Sequence, residues 1–91
     1  MKQVHIMIKG FVHGVLFRFS VKELADRLGV KGYARNLENG DVEVVAQGHE
    51  DKLKEIVEFC RKGPRHARVS GIEVKFSDSG EKYSSFEIIR Q

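Results

Sequence analysis

The segment that decides the fold is Val4-His5-Ile6-Met7-Ile8-Lys9-Gly10-Phe11-Val12-His13-Gly14-Val15-Leu16-Phe17-Arg18. Apolar and polar residues alternate from Val4 to Lys9, which is the period of a half-buried strand. A stretch with two glycines follows. From Phe17 onward the apolar residues fall at the spacing of an amphipathic helix, with Gly29 as its C-terminal cap. The segment therefore predicts a strand, a loop and a helix in direct succession.

The middle of the chain predicts two strands joined by a hairpin. The stretch from Tyr33 to Leu37 is the candidate second strand. The residues from Val42 to Gln47 alternate in character and predict a third strand, which ends at Gly48. Between these two stretches, Asn39-Gly40 is a strong signal for a tight hairpin turn.

The C-terminal half predicts a second helix and two more strands. The acidic pair Glu50-Asp51 suits a helix N-terminus, and Arg61-Lys62-Gly63-Pro64 has the features of a helix stop. The apolar residues between Ile72 and Phe76 indicate a fourth strand. We expect a turn from Ser77 to Gly80 and then a shorter extended piece around Phe86 and Ile88.

The element order β-α-β-β-α-β, with an extra C-terminal strand, is that of an α+β, ferredoxin-like fold. We expect a single domain over residues 1–91, with two helices on one face of a mainly antiparallel sheet of four or five strands. The first and second strands are then parallel, with the third strand between them. Their C-terminal ends therefore meet at the same end of the sheet, about 10 Å apart at ~4.8 Å per strand step.

Composition excludes several classes of protein. Of the 91 residues, 41% are hydrophobic and 32% are charged, as in a globular domain. The net charge of +3 favours anionic ligands only mildly and does not demand nucleic acid. The single cysteine, Cys60, excludes a disulfide framework and is expected to pack in the core. Because the N-terminus lacks the long apolar core of a signal peptide and no apolar run approaches the roughly 18 residues of a membrane span, we expect a cytoplasmic protein. We also expect it to be a monomer.

The loop from Gly10 to Arg18 has the features of an anion site. Glycines allow the backbone to curl so that successive N–H groups converge on one oxyanion, and the helix N-terminus adds N–H groups of its own. Arg18 lies in the first helical turn, from where its guanidinium can bind phosphate oxygens in a bidentate way. The Gly-Lys-Ser/Thr ending of a nucleotide P-loop is missing. An ordinary tight connection with a surface arginine would also contain two glycines.

Asn36 is a second candidate because it ends the second predicted strand, at the same end of the sheet as the glycine loop. Asparagine is unfavourable in strands. It can start the turn that leads to Asn39-Gly40. Alternatively, its carboxamide can orient a water molecule beside an anion held in the loop. An amide cannot act as a base near neutral pH, so that role is limited to positioning and hydrogen bonding.

Two stretches of the sequence form a recognisable pattern. The first is Gly10-Phe11-Val12-His13-Gly14-Val15-Leu16-Phe17-Arg18, and the second is Gly32-Tyr33-Ala34-Arg35-Asn36 followed by Gly40, Val42 and Gly48. Together they resemble the two signatures of the acylphosphatase family, whose element order and length this chain also matches. The family usually has Gln where this chain has His13. The change keeps the peptide N–H of the loop but alters any contact of the side chain.

The resemblance implies hydrolysis of the carboxyl-phosphate bond of a small-molecule acyl phosphate to a carboxylate and inorganic phosphate. It implies that Arg18 binds the phosphoryl group and that Asn36 places the attacking water. The loop amides that would surround the phosphoryl group belong to His13, Gly14, Val15, Leu16, Phe17 and Arg18. Such a reaction depends chiefly on positioning and charge stabilisation. The sequence offers no cluster of ligands for magnesium or zinc, so we expect no metal and no cofactor.

Two other functions stay open from the sequence. A ferredoxin-like nucleic-acid-binding module has the same element order but needs aromatic residues on the open face of its central strands. That face carries His5, Met7, Lys9, Glu43, Val45 and Gln47. Since none of these is an aromatic residue that stacks on bases, we expect neither a nucleic-acid nor a membrane partner. The second alternative is a non-catalytic acylphosphatase-like module, against which the presence of both Arg18 and Asn36 argues.

Overall fold

The computed structural model describes residues 2–78 and 81–90, and in this part of the chain it has two helices and five strands. The helices are α1 (Phe17–Leu28) and α2 (Glu50–Lys62). The strands are β1 (Lys2–Phe11), β2 (Lys31–Asn36), β3 (Val42–Gly48), β4 (Arg68–Asp78) and β5 (Phe86–Ile89). They form one sheet in the order β4-β1-β3-β2-β5. Neither helix of the described residues has the length and apolar character needed to cross a membrane.

The register of the sheet places the ends of β1 and β2 side by side. Both strands pair with β3 in the antiparallel sense, so they are parallel to each other, as predicted. Val42 pairs with Ile8 of β1 on one side and with Asn36 of β2 on the other. Ile8 and Asn36 are therefore two strand steps apart, about 10 Å. Strand β1 continues for three residues beyond Ile8, and the loop starts at Val12.

The core lies between the sheet and the two helices. Val4, Ile6 and Ile8 of β1 are fully buried, and they belong to one apolar cluster with residues of both helices. The helical members of that cluster are Phe17, Val21, Ala25, Leu53, Ile56, Val57 and Cys60. Burial raises the pKa of the Cys60 thiol to about 12. Cys60 is thus a core residue, as the sequence predicts.

The structure differs from the sequence prediction at two connections. The hairpin is confirmed, but its turn runs from Leu37 to Gly40, because the Gly40 amide donates to the Leu37 carbonyl at 3.1 Å. Gly40 has φ +97°, which is typical of a three-residue hairpin loop that ends in a bulge. Ser77 and Asp78 belong to β4 rather than to a turn, because the strand pairs with β1 over its full length. The remaining turn residues, 79 and 80, lie outside the described residues.

The final strand, β5, forms the edge of the sheet opposite to β4. It pairs with β2 in the parallel sense, with Phe86 opposite Gly32 and Ile89 opposite Arg35. The chain therefore crosses the sheet between β4 and β5, where Gln47 contacts residues of the crossing segment. The Gln47 carboxamide accepts a hydrogen bond from the amide of Tyr83 and donates one to the carbonyl of Glu81.

On the face away from the helices, Glu43 is the centre of a charged cluster. It is 8% exposed. Its carboxylate oxygens lie 2.7 Å from Nε2 of His5 and 2.5 Å from Nε of Arg35. Burial raises the pKa of Glu43, but the hydrogen bonds from His5 and Arg35 outweigh this effect. The net result is a pKa below the ordinary value.

We expect the Glu43 cluster to make stability fall in acid. A carboxyl whose pKa is lower in the folded state stabilises the fold above the ordinary glutamate pKa of about 4.3. That contribution is lost as the pH falls through the folded value. Glu43→Gln should therefore lower the free energy of unfolding by about 1–3 kcal/mol near neutral pH and weaken its dependence on acid.

Denaturant titrations at neutral and acidic pH measure both effects. Glu55→Gln, at an exposed position of α2, is the matched control and should leave the free energy of unfolding and its acid dependence unchanged. If wild type and Glu43→Gln lost the same free energy of unfolding on acidification, the Glu43 cluster would not be the source of the pH dependence.

Candidate active site

A cavity of about 270 Å³ opens at the end of the sheet where β1 and β2 finish. It brings together the two residues that the sequence singles out, Arg18 and Asn36. The other residues that line it are Val12, Gly14, Leu16, Phe17, Phe19, Ile88 and Arg90. Arg18 and Asn36 also line an adjoining cavity of about 410 Å³. The loop from β1, the start of α1, the end of β2 and the end of β5 thus form the walls of one open site.

The backbone of the loop is curled in the way that anion sites require. Gly14 has φ +70° and Leu16 has φ +63°, while Val15 between them has a negative φ. Alternation of this kind turns successive N–H groups toward one side of the chain, which forms a concave site for an anion. The first helical hydrogen bond joins the amide of Ser20 to the carbonyl of Leu16. The amides of residues 17, 18 and 19 therefore precede any acceptor within the helix.

Leu16 is the residue that sequence reasoning missed in this loop. It is the N-cap of α1, and it provides no side-chain hydrogen bond to the helix. A left-handed conformation costs a residue other than glycine about 1–2 kcal/mol. The side chain is 71% exposed, so burial does not offset this cost. No sequence signal predicts a left-handed leucine, and strain of this kind is concentrated at functional sites.

Two close contacts fix the ends of the loop. A Cβ at Gly10 would lie 2.1 Å from the carbonyl oxygen of Arg68, so only glycine allows β1 to approach β4 this closely before the loop begins. At the other end, Phe17 is 2% exposed and its ring packs edge-on against Phe59 of α2, with centroids 6.2 Å apart. Because Phe17 faces the core, the next residue, Arg18, emerges at the wall of the cavity.

The side chain of Arg18 is held by the last strand. Its Nη1 donates to the carbonyl oxygen of Ile89 at 3.3 Å. The contact uses one of the five N–H groups of the guanidinium. The remaining N–H groups are available to an anion in the cavity, and the single contact limits the number of conformations of the long side chain.

Asn36 is the last residue of β2, and its backbone pairs with Val42. Within residues 2–78 and 81–90, its carboxamide makes no hydrogen bond. The turn that follows is closed by the amides of Leu37 and Gly40, so the Asn36 side chain does not serve as the starter of that turn. A carboxamide that lines a cavity without a protein partner is available to bind a ligand or a water molecule.

Two predicted site residues direct their side chains elsewhere. Nε2 of His13 lies 2.8 Å from the carbonyl oxygen of Asp41, in the hairpin between β2 and β3. The side chain of Val15 packs against the core. Any contribution of these two residues to an anion site would therefore come from their backbone amides, which is what the resemblance implies.

Arg90 adds a second guanidinium to the walls of the cavity. The sequence leaves the pairing of the last strand open, so it cannot place this residue at the site. Of the described residues that line the cavity, two are arginines and none is Asp, Glu or His. Anions are therefore favoured there by charge as well as by the backbone. Elsewhere in residues 2–78 and 81–90, no three His, Cys, Asp or Glu side chains form a group that could hold a metal ion, and a metal-free reaction stays a prediction.

A larger cavity, of about 540 Å³, lies at the opposite end of the sheet. It is lined by the start of α2 and the end of α1, together with residues of both charges. Lys2, Lys31 and Lys52 contribute the cations, and Glu50 and Asp78 contribute the anions. Lys2 and Asp78 pair at 3.8 Å. Most of the positive charge of this cavity is therefore compensated by carboxylates, whereas the cavity at Arg18 is lined by two arginines and no carboxylate.

The aromatic ring of Tyr33, on the open face of the sheet, is in contact with protein side chains. Tyr33 lies on this face, because it pairs with Val45, which in turn pairs with His5. Its ring packs edge-on against Tyr83 at 5.7 Å between centroids, and the Arg35 guanidinium lies 5.8 Å from its centre. The aromatic ring on β2 thus has protein partners, and the absence of a nucleic-acid partner stays a prediction.

Comparison with known families agrees with the geometry of the site. The family model described as Acylphosphatase matches residues 4–88. The chain belongs to the acylphosphatase family. The matched range contains the curled loop, Arg18, Asn36 and every element of the fold except the first two residues of β1 and the last residue of β5.

Curated acylphosphatases are similar over almost the whole chain. The protein from Rubrobacter xylanophilus is 44% identical over 87 residues, which cover 96% of this chain and 79% of that protein. The protein from Caldanaerobacter subterraneus subsp. tengcongensis is 45% identical over 87 residues, covering 96% and 97%. The crystal structure of acylphosphatase from Bacillus subtilis has a TM-score of 0.94 at 36% identity, covering 99% of this chain and 100% of that one. The predicted family, ferredoxin-like fold and hydrolase class are confirmed.

Proposed function

We propose that this protein hydrolyses the carboxyl-phosphate bond of small acyl phosphates without a metal ion. The products are a carboxylate and inorganic phosphate. In this proposal Arg18 and the amides of residues 13–18 hold the phosphoryl group, and Asn36 orients the attacking water. The observation that carries the proposal is the single cavity lined by Arg18, Asn36 and the curled loop.

Binding of the phosphoryl group is supported by charge and by backbone geometry. The N–H groups at the start of α1 lie at the positive end of the helix dipole, where anions are stabilised. The Arg18 guanidinium can donate two parallel hydrogen bonds to phosphate oxygens. Because these donors are fixed by the fold before the substrate arrives, they can stabilise the charge of the transition state without reorganisation.

The attack is assigned to a water molecule that Asn36 holds. The carboxamide has an acceptor oxygen and a donor NH₂ group, so it can orient a water through one hydrogen bond and contact the phosphoryl group through another. The water oxygen forms a bond to phosphorus while the bond between phosphorus and the acyl oxygen breaks. The leaving carboxylate is a weak base and needs no general acid.

The proton of the water is assigned to a phosphoryl oxygen of the substrate. This assignment is supported by the described lining of the 270 Å³ cavity, which holds no Asp, Glu or His that could act as a base; Glu38 lines only the adjoining cavity. The two arginines can offset the negative charge that a divalent metal ion offsets in other phosphoryl-transfer enzymes. The reaction therefore needs only positioning and charge stabilisation from the protein.

The direct test is hydrolysis of benzoyl phosphate in the presence and absence of a chelator. We expect turnover that persists in the chelator, and competitive inhibition by inorganic phosphate, because phosphate occupies the same donors as the substrate. Loss of benzoyl phosphate is followed by absorbance. Turnover that stops in chelator and returns with added magnesium would contradict the metal-free reaction, and no turnover in any condition would favour a non-catalytic module.

Substitutions of Arg18 and Asn36 should affect different kinetic constants. Arg18→Ala should raise the inhibition constant for phosphate by about tenfold to a hundredfold, because hydrogen bonds from a charged donor are lost. Asn36→Ala should lower kcat by about a hundredfold to a thousandfold and leave phosphate binding almost unchanged.

Arg27→Ala is the matched control for Arg18, since Arg27 is an exposed arginine in the last turn of the same helix. It should change neither kcat nor the inhibition constant for phosphate. Steady-state kinetics with phosphate as inhibitor separate these outcomes. Normal turnover by Asn36→Ala would remove the assigned role of Asn36.

A further inference from the structure

One main-chain oxygen connects the phosphate-binding loop to the strand end that bears Asn36. The carbonyl oxygen of Asp41 accepts the amide of Leu37 at 2.9 Å, and it lies 2.8 Å from Nε2 of His13. A carbonyl oxygen only accepts hydrogen bonds, so Nε2 of His13 is the donor. Leu37 directly follows Asn36, and His13 directly precedes Gly14. The loop and the strand end are thus two hydrogen bonds apart.

Asp41 is itself held firmly. The residue is 8% exposed. Its carboxylate accepts hydrogen bonds from Nζ of Lys9 at 3.1 Å and from Nδ2 of Asn39 at 3.2 Å. Its amide donates to Oδ1 of Asn39 at 3.0 Å. Because contacts from β1 and from the hairpin fix Asp41, its carbonyl oxygen is a rigid point of attachment for the loop.

We propose that His13 is a positioning residue whose hydrogen bond to the Asp41 carbonyl sets the distance between the loop amides and Asn36. The inference rests on the proposed function, in which the loop holds the phosphoryl group and Asn36 holds the water. The His13 ring does not line the cavity, so it acts through the loop and not on the substrate. The hydrogen on Nε2 is present in the protonated ring and in one neutral tautomer, so the link needs no charge.

The expected consequence is a loss of rate without a loss of phosphate binding. If the link is broken, the loop keeps its amides and Arg18, and β2 keeps Asn36. What is lost is the fixed position of the water on Asn36 relative to the phosphorus atom held by the loop. A misplacement of about 1 Å between reacting groups lowers the rate by up to about a hundredfold. A role in packing alone would instead reduce stability and phosphate binding together.

The experiment compares His13→Met with His13→Gln, because both side chains are unbranched and similar in length but only Gln can donate to the Asp41 carbonyl. We expect His13→Met to lower kcat by about tenfold to a hundredfold. It should keep the inhibition constant for phosphate within about twofold. His13→Gln should restore most of the lost kcat. His66→Met, at an exposed turn after α2, is the control and should leave kcat unchanged.

Three results would overturn the inference: unchanged kcat in His13→Met, equal losses of kcat in the Gln and Met variants, or loss of phosphate binding in His13→Met, including loss through unfolding. The double variant with Asn36→Ala provides a further check. With no carboxamide to align, His13→Met should cost little additional rate, so the two losses are not additive. Normal turnover by Asn36→Ala alone would instead refute the proposed function. If Asn36→Ala lost activity while His13→Met kept full activity, only the role of His13 would be refuted.

Discussion

Antiparallel pairing of β1 and β2 with the same strand, β3, is the constraint on which the site depends. The pairing makes β1 and β2 parallel, so both finish at one end of the sheet. Val42 pairs with Ile8 and with Asn36, and this fixes Asn36 about 10 Å from β1, close to where the loop begins. A slip of one residue in the register of β2 against β3 would turn the side chain of Asn36 to the other face of the sheet. The geometry of the site thus follows from the hydrophobic pattern that sets the register.

In the proposed phosphate site, the backbone supplies many of the hydrogen-bond donors for an anion. Gly14 and Leu16 have left-handed conformations, a pattern that directs successive amides toward one side of the chain, and the start of α1 adds more N–H groups. Two arginines supply the charge, one beside the loop and one at the end of the last strand. This arrangement suits a reaction in which the substrate carries a good leaving group and the protein contributes position and electrostatic stabilisation. Close packing fixes the chain on either side of Leu16, at Gly10 against the backbone of Arg68 and at Phe17 against Phe59.

Much of the fold can be predicted from local sequence patterns. The alternation of a strand, the spacing of a helix and the glycine of a hairpin each involve only a few neighbouring residues. The proximity of Arg18 and Asn36 also follows, since it needs only the element order. Other features depend on long-range contacts. The place of Arg90 is set by parallel pairing of β5 with β2, and the buried position of Asp41 is set by its hydrogen bonds with Lys9 and Asn39. The left-handed Leu16 has no local signal, because leucine is unfavourable in that conformation.

The central claim is that the curled loop, Arg18 and Asn36 together form the phosphate site. Titration of the nitrogen-15-labelled protein with inorganic phosphate, followed by amide chemical shifts, tests it most directly. The account predicts saturable shifts concentrated at the amides of residues 13–19 and at the carboxamide of Asn36. Shifts concentrated instead around Lys31 and Lys52, at the far cavity, with residues 13–19 unchanged, would contradict it.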